Sequence, residues 1–159
     1  MAHIKYTTKD DETVNSVTTV IGNVLGFNKN ALIGWSKHLA FKGINSDSIR
    51  DESASIGTSA HYLIESKILN EKVDRSNLTH LSKDQLTQAI NAFNGWKLWE
   101  EEWSPDEYLH TELSLVSEKY KFGGTVDIIA KKDGKVYILD NKTSNSLHIE
   151  MIIQLYSKR

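Results

Sequence analysis

The sequence predicts an α+β fold, and three observations carry that prediction. Upstream of Pro105 the apolar residues recur at helical spacing, downstream of it the period changes to two, and a last helical pattern opens near His148. Pro105 is the only proline in the chain, and it falls where helices give way to strands. Helices, then a strand meander, then a closing helix make an arrangement in which helices cover the sheet. A chain of 159 residues with no linker or repeat is expected to form one domain, 1–159. At that size it buries about two thirds of its unfolded surface.

The N-terminal stretch "SVTTVIGNVLG" is apolar without a clear period. "NKNALIGWSKHLAFKG" reads as a helix with Leu32, Trp35 and Leu39 inward and Gly43 as its stop, followed by a polar loop through about Arg50. "SASIGTSAHYLIESKILNEK" carries Ala60, Leu63, Ile64 and Ile68 at helical spacing, with His61 and Glu65 four apart beside that stripe. "SKDQLTQAINAFNGWKLWEEEW" opens on a capping box, Ser82 with Gln85, and stacks Leu86, Ala89, Phe93, Trp96 and Trp103 on a core face. Three strands follow, "YLHTELSLVS", "FGGTVDIIAKK" and "KVYILDNKT", joined by "EKYK" and "DG" into an antiparallel meander.

Composition narrows the function classes. Hydrophobic residues at 39% and charged residues at 25% are those of a globular protein. The absence of cysteine excludes disulfides and thiolate metal sites and fits a cytoplasmic address. No stretch is long and apolar enough for a signal peptide or a membrane span. A net charge of -2 rules out a uniformly basic coat for nucleic acid. Charge is uneven, however: Lys119, Lys121, Lys131, Lys132, Lys135 and Lys142 cluster in the strand region, whereas "WEEEWSPDE" is acidic.

The hairpin register singles out two acids. With Asp133 and Gly134 as the central residues of a primed turn, Lys132 faces Lys135, Ala130 faces Tyr137 and Ile128 faces Leu139. Asp127 then faces Asp140, and Thr125 faces Lys142 on the same side. A turn centred on Lys119 and Tyr120 also brings Glu112 opposite Asp127. Like charges directly opposite one another destabilise a sheet unless something intervenes, so neutralising both aspartates is expected to relieve a repulsion. A divalent metal is the common remedy where carboxylate oxygens gather.

In order and in type, these residues resemble the PD-(D/E)xK nuclease superfamily, in its RecB-like and phage-exonuclease-like branch. "GTSAHYLIE" resembles that branch's Gly-Thr helix with a histidine ligand, at His61. "FGGTVDII" is similar to its Gly-Thr-hydrophobic-Asp strand, at Asp127, and "ILDNKTSN" to its Asp-x-Lys-Thr strand, at Asp140 and Lys142. "QLYSKR" resembles the start of its final motif, at Gln154. The tyrosine usually found four residues later is Lys158 here, with Tyr156 as the nearest replacement.

The resemblance implies a restriction-endonuclease-like core and a DNA nuclease dependent on Mg2+ or Mn2+. His61, Asp127 and Asp140 would hold the metal, with Glu112 as a further ligand through water. Lys142 would orient the attacking water or stabilise charge on the phosphate, and Gln154 and Tyr156 would contact substrate. It also implies DNA as partner, linear or single-stranded, and action from an end. Trp35 or Phe27 would stack on bases only if exposed, core packing being the first expectation for Trp35, and no membrane partner is expected. Relatives generally continue past the point where this chain stops, so the domain is expected to be truncated at its C-terminus. A partner protein or second copy would then complete the DNA-binding surface. Two rivals share the same residues: a structure-selective endonuclease, and a non-catalytic DNA-binding remnant of a nuclease domain.

Overall fold

The computed structural model describes residues 4–158 apart from 25, 27, 28 and 145, with the backbone alone described at Val24. Phe27, a stacking candidate, lies outside the described residues. Within the expected domain, contacts gather into two compact units. The first comprises residues 1–29, 106–140 and 145–159, the second residues 30–105 and 141–144.

The first unit is built on a sheet. Strand β1 (Tyr6–Thr7) pairs antiparallel with β2 (Thr13–Ser16), which runs directly into helix α1 (Val17–Val24). The switch from strand to helix falls at Ser16, whose hydroxyl accepts the Thr19 N–H at 3.1 Å and so satisfies one of the donors a helix start leaves open. After Pro105 come β3 (Glu107–Ser117), β4 (Phe122–Lys132) and β5 (Lys135–Leu139), and the unit closes with α5 (Ile149–Ser157) behind His148. β4 is the central strand. β3 pairs along nearly its whole length, while β2, parallel, and β5, antiparallel, share its other side.

The expected three-stranded antiparallel meander is therefore present as part of a five-stranded mixed sheet. The correction comes from β1 and β2, at 2 and 4 residues too short for alternation to show, and from a strand that becomes a helix without a break. The hairpin register follows the reading from "DG": Lys132 pairs Lys135, Ala130 pairs Tyr137 and Ile128 pairs Leu139. Asp133 and Gly134 have φ of 50° and 74°, the positive values both central residues of a type I′ turn require. Val126, Ile128 and Ala130 alternate as the buried face of β4, which leaves Thr125 and Asp127 on the other.

Gly123 answers to a specific neighbour. A Cβ at this position would overlap the Cβ and Cγ of Tyr6, whose ring crosses β4 there and whose hydroxyl lies 2.9 Å from Thr125 Oγ1. We expect Gly123→Ala to destabilise the protein by about 1–3 kcal/mol through overpacking, read as a lower urea midpoint with an unchanged slope. An unshifted midpoint would show that Tyr6 moves aside freely.

The second unit is helical: α2 (Lys29–Phe41), α3 (Ser46–Ile68), a 3-10 turn (Arg75–Leu78) and α4 (Lys83–Trp103). Gly43, at φ 71°, stops α2 as expected. Leu32 and Trp35 do not turn inward as expected, being 58% and 41% exposed, and α2 buries no residue. Spacing shows which side chains share a face, and on this one Leu39 is half-buried while Leu32 and Trp35 stay exposed. The expected loop to Arg50 is helical from Ser46 onward. Asn45 caps α3 by accepting the Asp47 N–H at 2.9 Å, and Arg50 pairs with Asp47 and Asp51, so polar residues carry the first turns. Farther along, Ile56, Ala60, Leu63 and Ile64 are buried, as are Ala89 and Trp96 of α4. The Ser82–Gln85 capping box forms in both directions, and α4 ends on Ser104 in the left-handed region at φ 51°, just before Pro105.

Candidate metal centre

In the first unit, the sequence around the two aspartates folds so that both meet one cation. Asp127 projects from the less buried face of β4, and Asp140 is the first residue past the end of β5. Between them sits Lys158, the residue that ends α5. Its Nζ is 2.7 Å from Asp140 Oδ1 and 3.9 Å from Asp127 Oδ1. The side chains of Lys158, Asp127 and Asp140 are only 3%, 12% and 5% exposed, so the group is nearly dry. Buried carboxylates so close together require a positive partner, because Coulomb repulsion grows as water is excluded.

Glu112 joins from β3. The pairs on either side, Thr111 with Ile128 and Leu113 with Val126, place it opposite Asp127, in the register read from a turn centred on Lys119 and Tyr120. Its φ of 47° lies in the left-handed region, uncommon for a non-glycine residue, and interrupts the ladder at that point. One carboxylate oxygen of Glu112 lies within 4.8 Å of one on Asp127.

In the second unit, two of the sequence motifs meet. His61 Nε2 is 3.0 Å from the carbonyl oxygen of Asn141; a carbonyl only accepts, so Nε2 carries the proton and Nδ1 of a neutral ring carries the lone pair. One helical turn earlier in α3 is Gly57, where a Cβ would lie 3.3 Å from Thr143 Oγ1. Gly57 and His61 thus hold the segment 141–143 against α3, with the half-buried Lys142 between the two anchored residues. The strand ladder ends at Ile128 with Leu139, one pair short of the expected Asp127–Asp140 match, and so does not reach the expected Thr125–Lys142 match either. Thr125 is instead within 2.9 Å of the Tyr6 hydroxyl and 3.3 Å of Ser114 Oγ. Glu65 is half-buried on α3.

Of the expected substrate contacts, Gln154 is half-buried on α5 and Tyr156 is exposed. Tyr156 lines a cleft of about 420 Å³ in the first unit, together with Tyr120, Phe122 and Lys158. The Tyr120 and Phe122 rings stack at 6.4 Å, and Lys119 Nζ lies 4.9 Å from the centre of the Tyr120 ring. Lys158 is the residue that the motif reading did not place at the centre. The signal for it was the departure at the position where the resembled family carries tyrosine.

The donor set suits a hard divalent cation. Asp127 and Glu112 offer carboxylate oxygens within 4.8 Å of one another, donors that Mg2+ and Mn2+ prefer, and Asp140 is linked to Asp127 through Lys158. Among the described residues, no helix is long and apolar enough to cross a membrane. No family model matches the chain, and no curated protein or solved structure matches it either.

Proposed function

We propose that the protein is a divalent-metal-dependent deoxyribonuclease, with Asp127 and Asp140 as the carboxylates that bind Mg2+ or Mn2+. The observation that carries this reading is the convergence of the two aspartates on one buried positive group, with Glu112 beside Asp127. An acid pair held this way in a dry site is poised to accept a cation. His61 is a further proposed ligand on the strength of its place in the Gly-Thr-x-x-His motif.

In this reading a bound cation supplies an acidified water and a Lewis acid for the scissile phosphate. The protein's own residues do the rest. Lys142 orients the water and stabilises charge as it develops on the phosphate oxygens. Tyr156 and Tyr120 offer flat faces to unpaired bases, and Gln154 hydrogen-bonds the strand near the reacting phosphate. Trp35 is also exposed and able to stack. With a net charge of -2, long-range attraction for a duplex is weak, which favours a strand end fed into a confined site over lateral capture of duplex.

One observation favours a second reading, a non-catalytic DNA-binding module: Lys158 already satisfies the acids. The two are separated by incubating the protein with a linear single strand, and with its covalently closed circle, in Mn2+, Mg2+ or EDTA. Loss of the linear strand alone, blocked by EDTA, is expected. Equal cutting of the circle would establish an endonuclease, and DNA binding without any cleavage would establish the module.

A further inference from the structure

We propose that Lys158 is an intramolecular stand-in for the divalent cation, holding the acid pair until a metal displaces it, and so sets the affinity of the centre for metal. The inference rests on the metal-dependent reading of this site.

The geometry leaves little room for another arrangement. A cation such as Mg2+ binds carboxylate oxygens at about 2.0–2.1 Å. The Lys158 ammonium, 2.7 Å from Asp140 Oδ1 and 3.9 Å from Asp127 Oδ1, is already the positive partner of both carboxylates that a cation would have to use. Two positive groups on the same carboxylates repel strongly, because a site this dry screens charge poorly. The metal and Lys158 are therefore alternatives.

Lys158 is equipped to leave. It is the cap residue that ends α5, so its side chain swings without breaking a turn of helix. Its ammonium rides on a flexible four-carbon stem. It also forms part of the wall of the cleft lined by Tyr120, Phe122 and Tyr156, which gives the side chain space to enter. A lysine already lies over the Tyr120 ring on the rim of that cleft, showing that the aromatic wall accepts an ammonium.

The test needs no DNA. Mn2+ is titrated into wild type and Lys158→Met, and free ion is followed by its paramagnetic resonance signal. Methionine keeps the bulk of the stem and removes the charge, so at least roughly tenfold tighter binding by the variant is expected, the change that 1.4 kcal/mol of lost competition produces. In parallel, wild type is reductively methylated and Lys158 is followed by mass spectrometry. Protection without metal and modification at saturating Mg2+ are expected. Should Lys158→Met fail to fold by circular dichroism, the methylation result alone decides.

Equal Mn2+ affinity in the two folded proteins, or protection of Lys158 that persists with Mg2+ bound, overturns the proposal while leaving the nuclease reading intact. Tighter binding by the variant without any cleavage of DNA does the reverse. No Mn2+ binding by either protein overturns both.

Discussion

Asp140→Ala is expected to destabilise the folded protein by about 3–5 kcal/mol, the usual consequence of removing one partner from a buried ion pair. The remaining group decides the magnitude. Lys158 has a side chain only 3% exposed, and without Asp140 its nearest carboxylate is Asp127, at 3.9 Å. For a chain of this length the loss corresponds to a fall in Tm of roughly 6–20 °C. Adding Lys158→Met to Asp140→Ala should recover part of the loss, since the second substitution removes the stranded charge, and the double-mutant cycle then yields a favourable coupling energy. Additive losses would mean that the pair contributes nothing in solution. The same geometry bears on the expectation from sequence that making Asp127 and Asp140 both neutral relieves a repulsion. The repulsion is already offset by Lys158, and an Asp127→Asn, Asp140→Asn protein should melt below wild type.

Lys142→Ala is expected to lower the rate of DNA cleavage by roughly 10²–10³-fold while leaving Mn2+ affinity near that of wild type, as befits a group acting on charge that appears in the transition state. The urea midpoint of the variant separates a loss of catalysis from a loss of fold, the backbone of the segment being held through the carbonyl of Asn141 and the approach of Thr143 to Gly57. Lys142→Arg should also be poor, because a planar guanidinium does not reproduce a compact point charge. Single-turnover cleavage of a labelled strand measures the loss. A near wild-type rate for Lys142→Ala would make Asp-x-Lys an accident of sequence and remove the nuclease reading.

What was legible in the sequence was what local chemistry dictates. "DG" demands positive φ at two adjacent residues, which sets the register of β4 and β5 as far as Ile128 and Leu139, whereas Asp127 and Asp140 beyond it are joined through Lys158. Ser82 and Gln85 could be read as a cap because both halves of that interaction lie within one turn. The face of α2 was misread because periodicity does not say whether another element covers it. β1 and β2 were invisible because so short a strand draws its stability from its neighbour in the sheet. Lys158 is the most instructive miss. Its role depends on how far a flexible side chain reaches from the end of a helix, a distance that no spacing rule encodes. His61 was found as a motif residue, but its bond to the Asn141 carbonyl required the path of the chain after β5.

The order of the segments along the chain has a consequence for synthesis on the ribosome. The helical unit is nearly one continuous run, residues 30–105, so its long helices α3 and α4 can pair as soon as they emerge. The sheet unit has no such freedom. Its first strands, β1 and β2, are made before that run, and β4, the strand that β2 must join, is made after it. During vectorial synthesis β1 and β2 can pair with each other, but the edge of β2 that β4 will take stays unpaired while the whole helical unit is translated. That interval, several seconds at about 5–20 residues per second, is when this chain most needs protection from edge-to-edge association. Slower elongation through residues 30–105 would lengthen the exposure, whereas slower elongation after β4 has emerged would not.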